Sequence, residues 1–104
     1  MAFYAWTQQV PIDAAAYAEI AGRMGEAPMP GLVVHLALED DDHTVRYIDV
    51  WESERTCNAA LASVVHPAVG PVLARRRIEV QGEPVRTPLN VIDVRFADGT
   101  SLPG

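Results

Sequence analysis

Hydrophobic and polar positions alternate along residues 45–52 with the period of two that is typical of a β-strand. One face of this predicted strand is aliphatic at its centre, with Ile48 and Val50. The other face carries a phenol, a carboxylate and an indole: Tyr47, Asp49 and Trp51. Large aromatic side chains around one carboxylate are unusual on a wet surface, so we expect both faces to be covered.

The remaining patterns predict the other elements of the fold. Alternating or continuous apolar runs predict strands over residues 2–10, 31–39 and 89–96. A stripe with helical spacing predicts a helix over residues 14–24, and Asp13 is its expected N-cap. Ser53 is the expected N-cap of a second helix. Because proline lacks an amide donor, His66-Pro67 is predicted to end or kink that helix, with a second piece over residues 67–77.

This order of strand, helix, strand, strand, helix, strand predicts an α+β, ferredoxin-like βαββαβ fold with an antiparallel sheet. Two helices cover only one face of such a sheet. The other face is expected to carry Val33, Ala37, Tyr47 and Trp51, which soluble monomers rarely expose. We therefore predict a homodimer whose sheets pack face to face. Residues 79–87 are predicted to form a loop with a short edge strand, and residues 97–104 a polar tail.

Composition narrows the function. The chain has 104 residues, 49% of them hydrophobic, which fits one domain over residues 1–104. A formal net charge of −6 and a pI near 4.8 argue against partners such as nucleic acid or anionic membranes. No run approaches the ~18 apolar residues of a membrane span, and a single cysteine fits a reducing compartment, so a cytoplasmic location is expected.

Metal binding is not predicted. Asp40, Asp41 and Asp42 follow one another between two strands, and consecutive carboxylates can attract a cation. A calcium loop also needs a glycine and a downstream glutamate at fixed spacing, and neither is present. The three aspartates therefore read as a turn that joins the second and third strands as a hairpin.

Asp49 and His35 are the candidate catalytic residues. Burial of Asp49 would favour its uptake of a proton and make it a possible general base, and His35 on the neighbouring strand could complete an acid/base pair. Two structural interpretations compete with this hypothesis. Asp49 could instead pair with Arg46, Arg95 or a partner's arginine, and His35 could be satisfied by a backbone carbonyl.

Six further residues are candidates for substrate binding. Aromatic side chains can stack on a planar substrate, although they are often part of the core. His66 could line the mouth of a pocket or only terminate a helix, and Asp93 could join the same face or lie at a dimer edge. The substrate-binding candidates are Tyr4, Trp6, Tyr47, Trp51, His66 and Asp93.

Three segments also resemble a known family. These are G-L-V-V-H beginning at Gly31, R-Y-I-D-V-W-E-S-E at residues 46–54 and V-I-D-V at residues 91–94. They resemble the dimeric α/β barrel proteins and, within these, are similar to the antibiotic-biosynthesis-monooxygenase-like group. The resemblance extends over residues 2–96, and its members include cofactor-free oxygenases, heme-degrading enzymes and polyketide cyclases.

The resemblance implies a homodimeric monooxygenase or related tailoring enzyme that needs no cofactor and acts on a small, planar, polyketide-like substrate. Heme degradation is not expected, because Ala59, Ala60 and Leu61 occupy the part of the second helix where those members carry an aromatic residue. The alternatives are a polyketide cyclase and a non-catalytic small-molecule-binding or stress-type dimer. Shared fold alone does not separate these functions.

Overall fold

The computed structural model describes residues 2–103 and contains a four-stranded antiparallel sheet covered on one face by helices. The elements from β1 to β4 follow the ferredoxin-like order, so the predicted α+β fold is confirmed. A separate two-stranded hairpin comes last in the chain. The elements are β1 Tyr4–Val10, α1 Ala14–Met24, β2 Leu32–Glu39, β3 Val45–Trp51, α2 Glu54–Ala60, α3 His66–Arg76, β4 Thr87–Leu89, β5 Asp93–Arg95 and β6 Ser101–Pro103.

The strands of the main sheet lie in the order β2-β3-β1-β4, with β3 and β1 at the centre. The β2–β3 hairpin follows the three-aspartate turn, as predicted. Its register pairs His35 with Asp49, and the β1–β3 register pairs Trp6 with Asp49. Cross-strand partners share a face of the sheet. Trp6, Asp49 and His35 therefore form one row across the middle of the sheet.

The face assignment made from the sequence is wrong for Tyr47 and Trp51, and also for Ala37, which pairs with Tyr47 across the strands. Tyr47 packs against α1 and α3, and Trp51 packs against Cys57 and Ala60 of α2, so both lie on the helix-facing side. Both faces of β3 are rich in apolar residues, and alternation alone does not show which of them the helices cover. The open face instead carries mostly aliphatic residues: Val34, Leu36, Leu38, Ile48, Val50 and Leu89.

The two helical segments are anchored by N-terminal caps. The Asp13 side chain accepts a hydrogen bond from the Ala16 N–H at 2.8 Å, as its position predicts. Ser53 and Thr56 form a reciprocal capping box at the start of α2. Ile20 of α1 and Val72 of α3 are almost fully buried and fill the space between the helices and the sheet.

The helix does not end at His66-Pro67. A π-helical turn at Leu61–Val65 joins α2 to α3, and the His66 N–H bonds to the carbonyl of Leu61, five residues earlier. Pro67 then lies in the first turn of α3, where its missing N–H costs little. Of the two predicted outcomes, an end at His66-Pro67 is therefore wrong, because the helix continues past the proline after this wider turn.

The resulting helix, Glu54–Arg76, is 23 residues long with a mean hydropathy of 1.4 in its most apolar stretch. By length and composition it is the one helix in residues 2–103 that could cross a membrane. Core helices of soluble domains meet the same criterion when they are mostly buried. Here 22% of the apolar stretch is buried, and the helix packs on the core through Cys57, Ala60, Ala68 and Val72.

The C-terminal segment differs from its prediction. β4, rather than residues 89–96, completes the sheet, and it pairs with the edge of β1. Residues 93–103 form a separate hairpin, which takes in the end of the predicted strand over residues 89–96 and most of the predicted tail. The Phe96 N–H bonds to the Thr100 carbonyl at 2.8 Å, and Gly99 has φ +90. The Asp98-Gly99 pair is a hairpin turn signal that the polar composition of this segment obscured.

Candidate active site

A cavity of about 140 Å³ lies between the sheet and the helices. Its polar wall is the row of side chains on the inner face of the sheet, and its apolar wall comes from both helices. Residues 80–84, between α3 and β4, close one side. The lining residues at the polar wall are Trp6, Gln8, Tyr17, His35, Tyr47, Asp49 and Trp51, and those at the apolar wall include Met24, Met29, Leu61, Val65, Val69 and Leu73.

Asp49 is the buried carboxylate of this wall, with only 4% of its surface exposed. Its Oδ1 lies 2.6 Å from His35 Nδ1, and its Oδ2 accepts a hydrogen bond from the Trp51 indole N–H at 3.0 Å. Both oxygens therefore have donors, as a buried charge requires. The alternative pairing with Arg46 or Arg95 is wrong. Arg46 pairs with Asp40, and Arg95 pairs with Asp93.

His35 connects Asp49 to Tyr17 of α1. The His35 Nε2 lies 2.9 Å from the Tyr17 hydroxyl oxygen. When Asp49 is ionised and accepts from Nδ1–H, a neutral imidazole carries its lone pair on Nε2, where it accepts the Tyr17 O–H. A carboxylate that fixes the tautomer of an imidazole is the arrangement that general bases use. The chain Trp51–Asp49–His35–Tyr17 is thus a continuous hydrogen-bond relay.

The phenols beside this relay are held in their neutral form. Burial, followed by the nearby Asp49 carboxylate, raises the pKa of the Tyr17 hydroxyl. Burial, followed by Tyr17 and Asp49, raises the pKa of Tyr47 strongly. The Tyr47 ring lies 5.2 Å from the His35 ring and 5.7 Å from the Tyr17 ring, both at tilted angles. These contacts restrict the rotamers of the histidine and of the relay tyrosine.

At the Trp6 end of the polar wall the hydrogen bonding is incomplete. The Trp6 indole N–H is buried and has no hydrogen-bond partner within residues 2–103. Its neighbour is the Cys57 thiol, a weak acceptor. Burial raises the pKa of that thiol, and the adjacent indole N–H opposes part of the rise. Cys57 has 0% of its surface exposed, so it acts as a small core residue.

A segment between α3 and β4, residues 78–86, forms a strap across the cavity. The Gln8 side-chain amide donates to the Pro84 carbonyl at 2.8 Å, which fastens the strap to β1. The Arg86 guanidinium lies 5.3 Å from the Trp6 ring centroid and pairs with Glu83 at 2.8 Å. Glu83 and Pro84 thereby become part of the cavity lining.

The structure brings six of the eight candidate residues to this cavity: His35, Asp49, Tyr47, Trp51, His66 and Trp6. Tyr4 lies on the same face of β1 but outside the lining, where its hydroxyl accepts a hydrogen bond from Arg86 at 3.1 Å. Asp93 lies in the exposed hairpin of β5, away from the sheet, and pairs with Arg95. Its expected place beside the cavity followed from the wrong assignment of the last strand.

Tyr17 is the site residue that the sequence interpretation missed. Its spacing with Ile20, Ala21 and Met24 placed it in the apolar stripe of α1, and it does pack there. The missed signal is its hydroxyl, because a buried tyrosine oxygen usually needs a hydrogen-bond partner. His35 of β2, the strand that follows α1 in the chain, is that partner.

No family model and no curated protein matches this sequence. Among solved structures, the chain is similar to a crystal structure of a candidate antibiotic biosynthesis monooxygenase from Chloroflexus aurantiacus J-10-fl, with a TM-score of 0.56 and 18% sequence identity. The similarity covers 86% of this chain and 93% of that one. At this identity it establishes a shared fold, and this is the fold that the sequence resemblance predicted.

Proposed function

We propose that this protein is a cofactor-independent monooxygenase that oxidises a small phenolic substrate. The observation that carries the proposal is the Asp49–His35–Tyr17 relay at the wall of a mostly apolar cavity. The shared fold with a candidate monooxygenase supports it. A phenol needs only a base and a dry site to become an electron-rich anion, and this cavity has residues suited to both tasks.

The first step is removal of the phenolic proton. The Tyr17 oxygen accepts the substrate O–H while Tyr17 passes its own proton to His35 Nε2. The resulting imidazolium is stabilised by the Asp49 carboxylate 2.6 Å from Nδ1. Tyr17 returns to its neutral form, in keeping with its raised pKa. The net charge of the site does not change, because the substrate anion and the imidazolium form together.

The anion then reacts with dioxygen. A ring carbon of the phenolate bonds to one oxygen atom, and the other oxygen takes the proton held by His35 to give a hydroperoxide. Loss of the ring hydrogen from that carbon breaks the O–O bond, releases water and forms a second carbonyl. Phenol and dioxygen thus give a quinone and water. The apolar wall excludes bulk water from the reactive anion.

A non-catalytic binder of the same fold would need the cavity but not the relay. Maintaining a buried carboxylate with two donors and an oriented imidazole costs desolvation energy, and an apolar lining would bind a planar ligand without that cost. A cyclase could use the same acid/base groups. Consumption of oxygen separates an oxygenase from both alternatives.

We also propose that the protein is a homodimer formed through the open face of the sheet. Leu36 and Leu38 are 47% and 43% exposed on that face, and Leu89 is 39% exposed. Together with half-buried Val34 and Ile48 they make a contiguous aliphatic surface. A second copy would cover this surface through an isologous contact.

Oxygen uptake with a panel of monocyclic phenols that have a free para position tests the proposed reaction. We expect consumption of one dioxygen per quinone formed, without added metal or cofactor. His35→Ala removes the base and should abolish uptake. His43→Ala, at an exposed turn residue, is the matched control and should leave uptake unchanged. Binding of phenols with no oxygen consumption by the wild-type protein would contradict the proposal.

A further inference from the structure

We infer that the cavity selects neutral substrates with a single aromatic ring, and rejects fused-ring and carboxylated phenols. This inference rests on the proposed function for its phenolic chemistry and concerns the specificity of the same site. It narrows the planar, polyketide-like substrate that the sequence resemblance implies. Two features of the cavity carry it: its size, with the side chains that bound it, and the sign of its charges.

Size sets the first limit. A cavity of about 140 Å³ is close to the volume of ~150 Å³ at which an engineered apolar cavity binds benzene. One ring fits such a space, whereas a fused second ring would have to displace lining side chains. Leu61 and Met29 would be the side chains displaced at the Trp51 end, where they pack against the Trp6 and Trp51 cluster. Overpacking of this kind is costly because interiors are close-packed.

The charges around the cavity set the second limit. The carboxylates in its lining are those of Asp49 and Glu83, the histidines in it are His35 and His66, and no arginine lines it within residues 2–103. Arg86, the nearest guanidinium to the Trp6 end, lies over the Trp6 ring and pairs with Glu83. A substrate carboxylate would therefore lose its hydration without gaining a permanently cationic partner, and His35 already pairs with Asp49.

The pKa values of the two tyrosines in the cavity wall also indicate that the site disfavours an additional negative charge. Burial is the main cause of the raised pKa of both Tyr17 and Tyr47, and the Asp49 carboxylate adds to it because it opposes the formation of a second anion nearby. A substrate that arrives neutral avoids this repulsion, and its proton stays within the site on His35 after transfer. A substrate that arrives with a permanent negative charge does not avoid this repulsion.

Binding under anaerobic conditions tests the inference separately from turnover. Isothermal titration at pH 7 would compare m-cresol with 3-hydroxybenzoate, which has similar size and an ionised carboxyl, and with 1-naphthol, which has a second ring. We expect both comparison ligands to bind at least about tenfold more weakly than m-cresol. Equal binding of either one, or no binding of m-cresol, would overturn the inference.

A substitution in the apolar wall of the cavity tests the size limit directly. Leu61→Ala should bring 1-naphthol binding to within about threefold of m-cresol binding, because it opens space at the Trp51 end. Leu36→Ala removes the same atoms from the open face of the sheet and should leave the wild-type preference intact. Naphthol binding that stays weak in a folded Leu61→Ala protein would overturn the size argument. Oxygen uptake plays no part in these measurements, so failure of the proposed reaction and failure of this selectivity are distinguishable.

Discussion

His35 Nδ1 lies 2.6 Å from Asp49 Oδ1, and this hydrogen bond joins two neighbouring strands across the floor of the cavity. The bond is effective because the other carboxylate oxygen is occupied by the Trp51 N–H at 3.0 Å. Oδ1 is therefore the carboxylate oxygen left to bind His35. It accepts from Nδ1–H and so holds His35 in the tautomer whose Nε2 lone pair faces the Tyr17 hydroxyl.

Asp49→Asn tests this tautomer control. The amide places its NH₂ group against either the Trp51 N–H or His35 Nδ1, so one donor meets another donor or the histidine proton moves to Nε2. The second arrangement removes the acceptor that Tyr17 uses, and both arrangements remove the negative charge that stabilises the His35 imidazolium. We expect kcat for phenol oxidation to fall about 10²–10⁴-fold. Oxygen uptake is the measurement, and Asp40→Asn, at the carboxylate that pairs with Arg46 outside the cavity, is the control expected to keep full activity.

Tyr17→Phe tests whether the tyrosine carries the proton. The ring keeps its packing on α1, but the oxygen 2.9 Å from His35 Nε2 is lost. We expect about 10²-fold lower kcat with a modest change in the free energy of unfolding, about 1 kcal/mol. Tyr47→Phe removes a hydroxyl that lies outside this relay and should reduce kcat far less. Unchanged or higher activity in Tyr17→Phe would show that His35 contacts the substrate directly.

The sequence predicted the elements from β1 to α2 and their order because each has a strong local signal. The Asp13 and Ser53 caps, the helical stripe of α1 and the aspartate turn between β2 and β3 all depend on neighbouring residues. Two kinds of feature could not be predicted from local signals. The face of β3 that the helices cover depends on tertiary packing, and the role of Tyr17 depends on a strand residue that lies 18 residues away in the chain.

The C-terminal errors have a related cause. Residues 89–96 alternate well enough to predict a strand, yet β4 pairs with β1 only at Thr87–Leu89. Pro88 lies within β4 and cannot donate to a ladder, which restricts this short strand to an edge of the sheet. The following residues instead pair across the Asp98-Gly99 turn. The misplacement of Asp93 in the site follows directly from this competition between pairings.

Alkaline pH should destabilise the protein through its buried phenols. The pKa of Tyr47 is raised from its ordinary value of 10.0 by burial, so the native state keeps a proton that the unfolded chain loses. Above that value the unfolded state binds fewer protons than the native state, and the free energy of unfolding falls as pH rises. Urea unfolding between about pH 9 and pH 12 measures this slope. Tyr47→Phe should flatten it, whereas a slope unchanged by that substitution would contradict the assignment.

Gly31→Ala tests a close contact between the start of β2 and α2. Gly31 has φ +91, and a Cβ at this position would overlap the side chain of Thr56 in the capping box. Backbone strain and overlap together should lower the free energy of unfolding by about 2–4 kcal/mol. Gly22→Ala is the control: Gly22 lies within α1, where an added Cβ would meet no neighbouring group within 4 Å, and the substitution should stabilise by about 0.5–1 kcal/mol. Thermal unfolding of both variants is the measurement.

Leu36→Glu tests the proposed dimer. Leu36 is 47% exposed and pairs across the strands with Ile48, at the middle of the aliphatic face of the sheet. In a symmetric dimer the substitution places a carboxylate from each subunit in an apolar contact, and the cost of desolvating them should raise the dimer dissociation constant at least about a hundredfold. Sedimentation velocity over a range of concentrations measures it. Ala59→Glu adds the same charge to the exposed side of α2 and should not change association. A monomeric wild-type protein, or a Leu36→Glu variant that associates as tightly as wild type, would show that this face is not the interface.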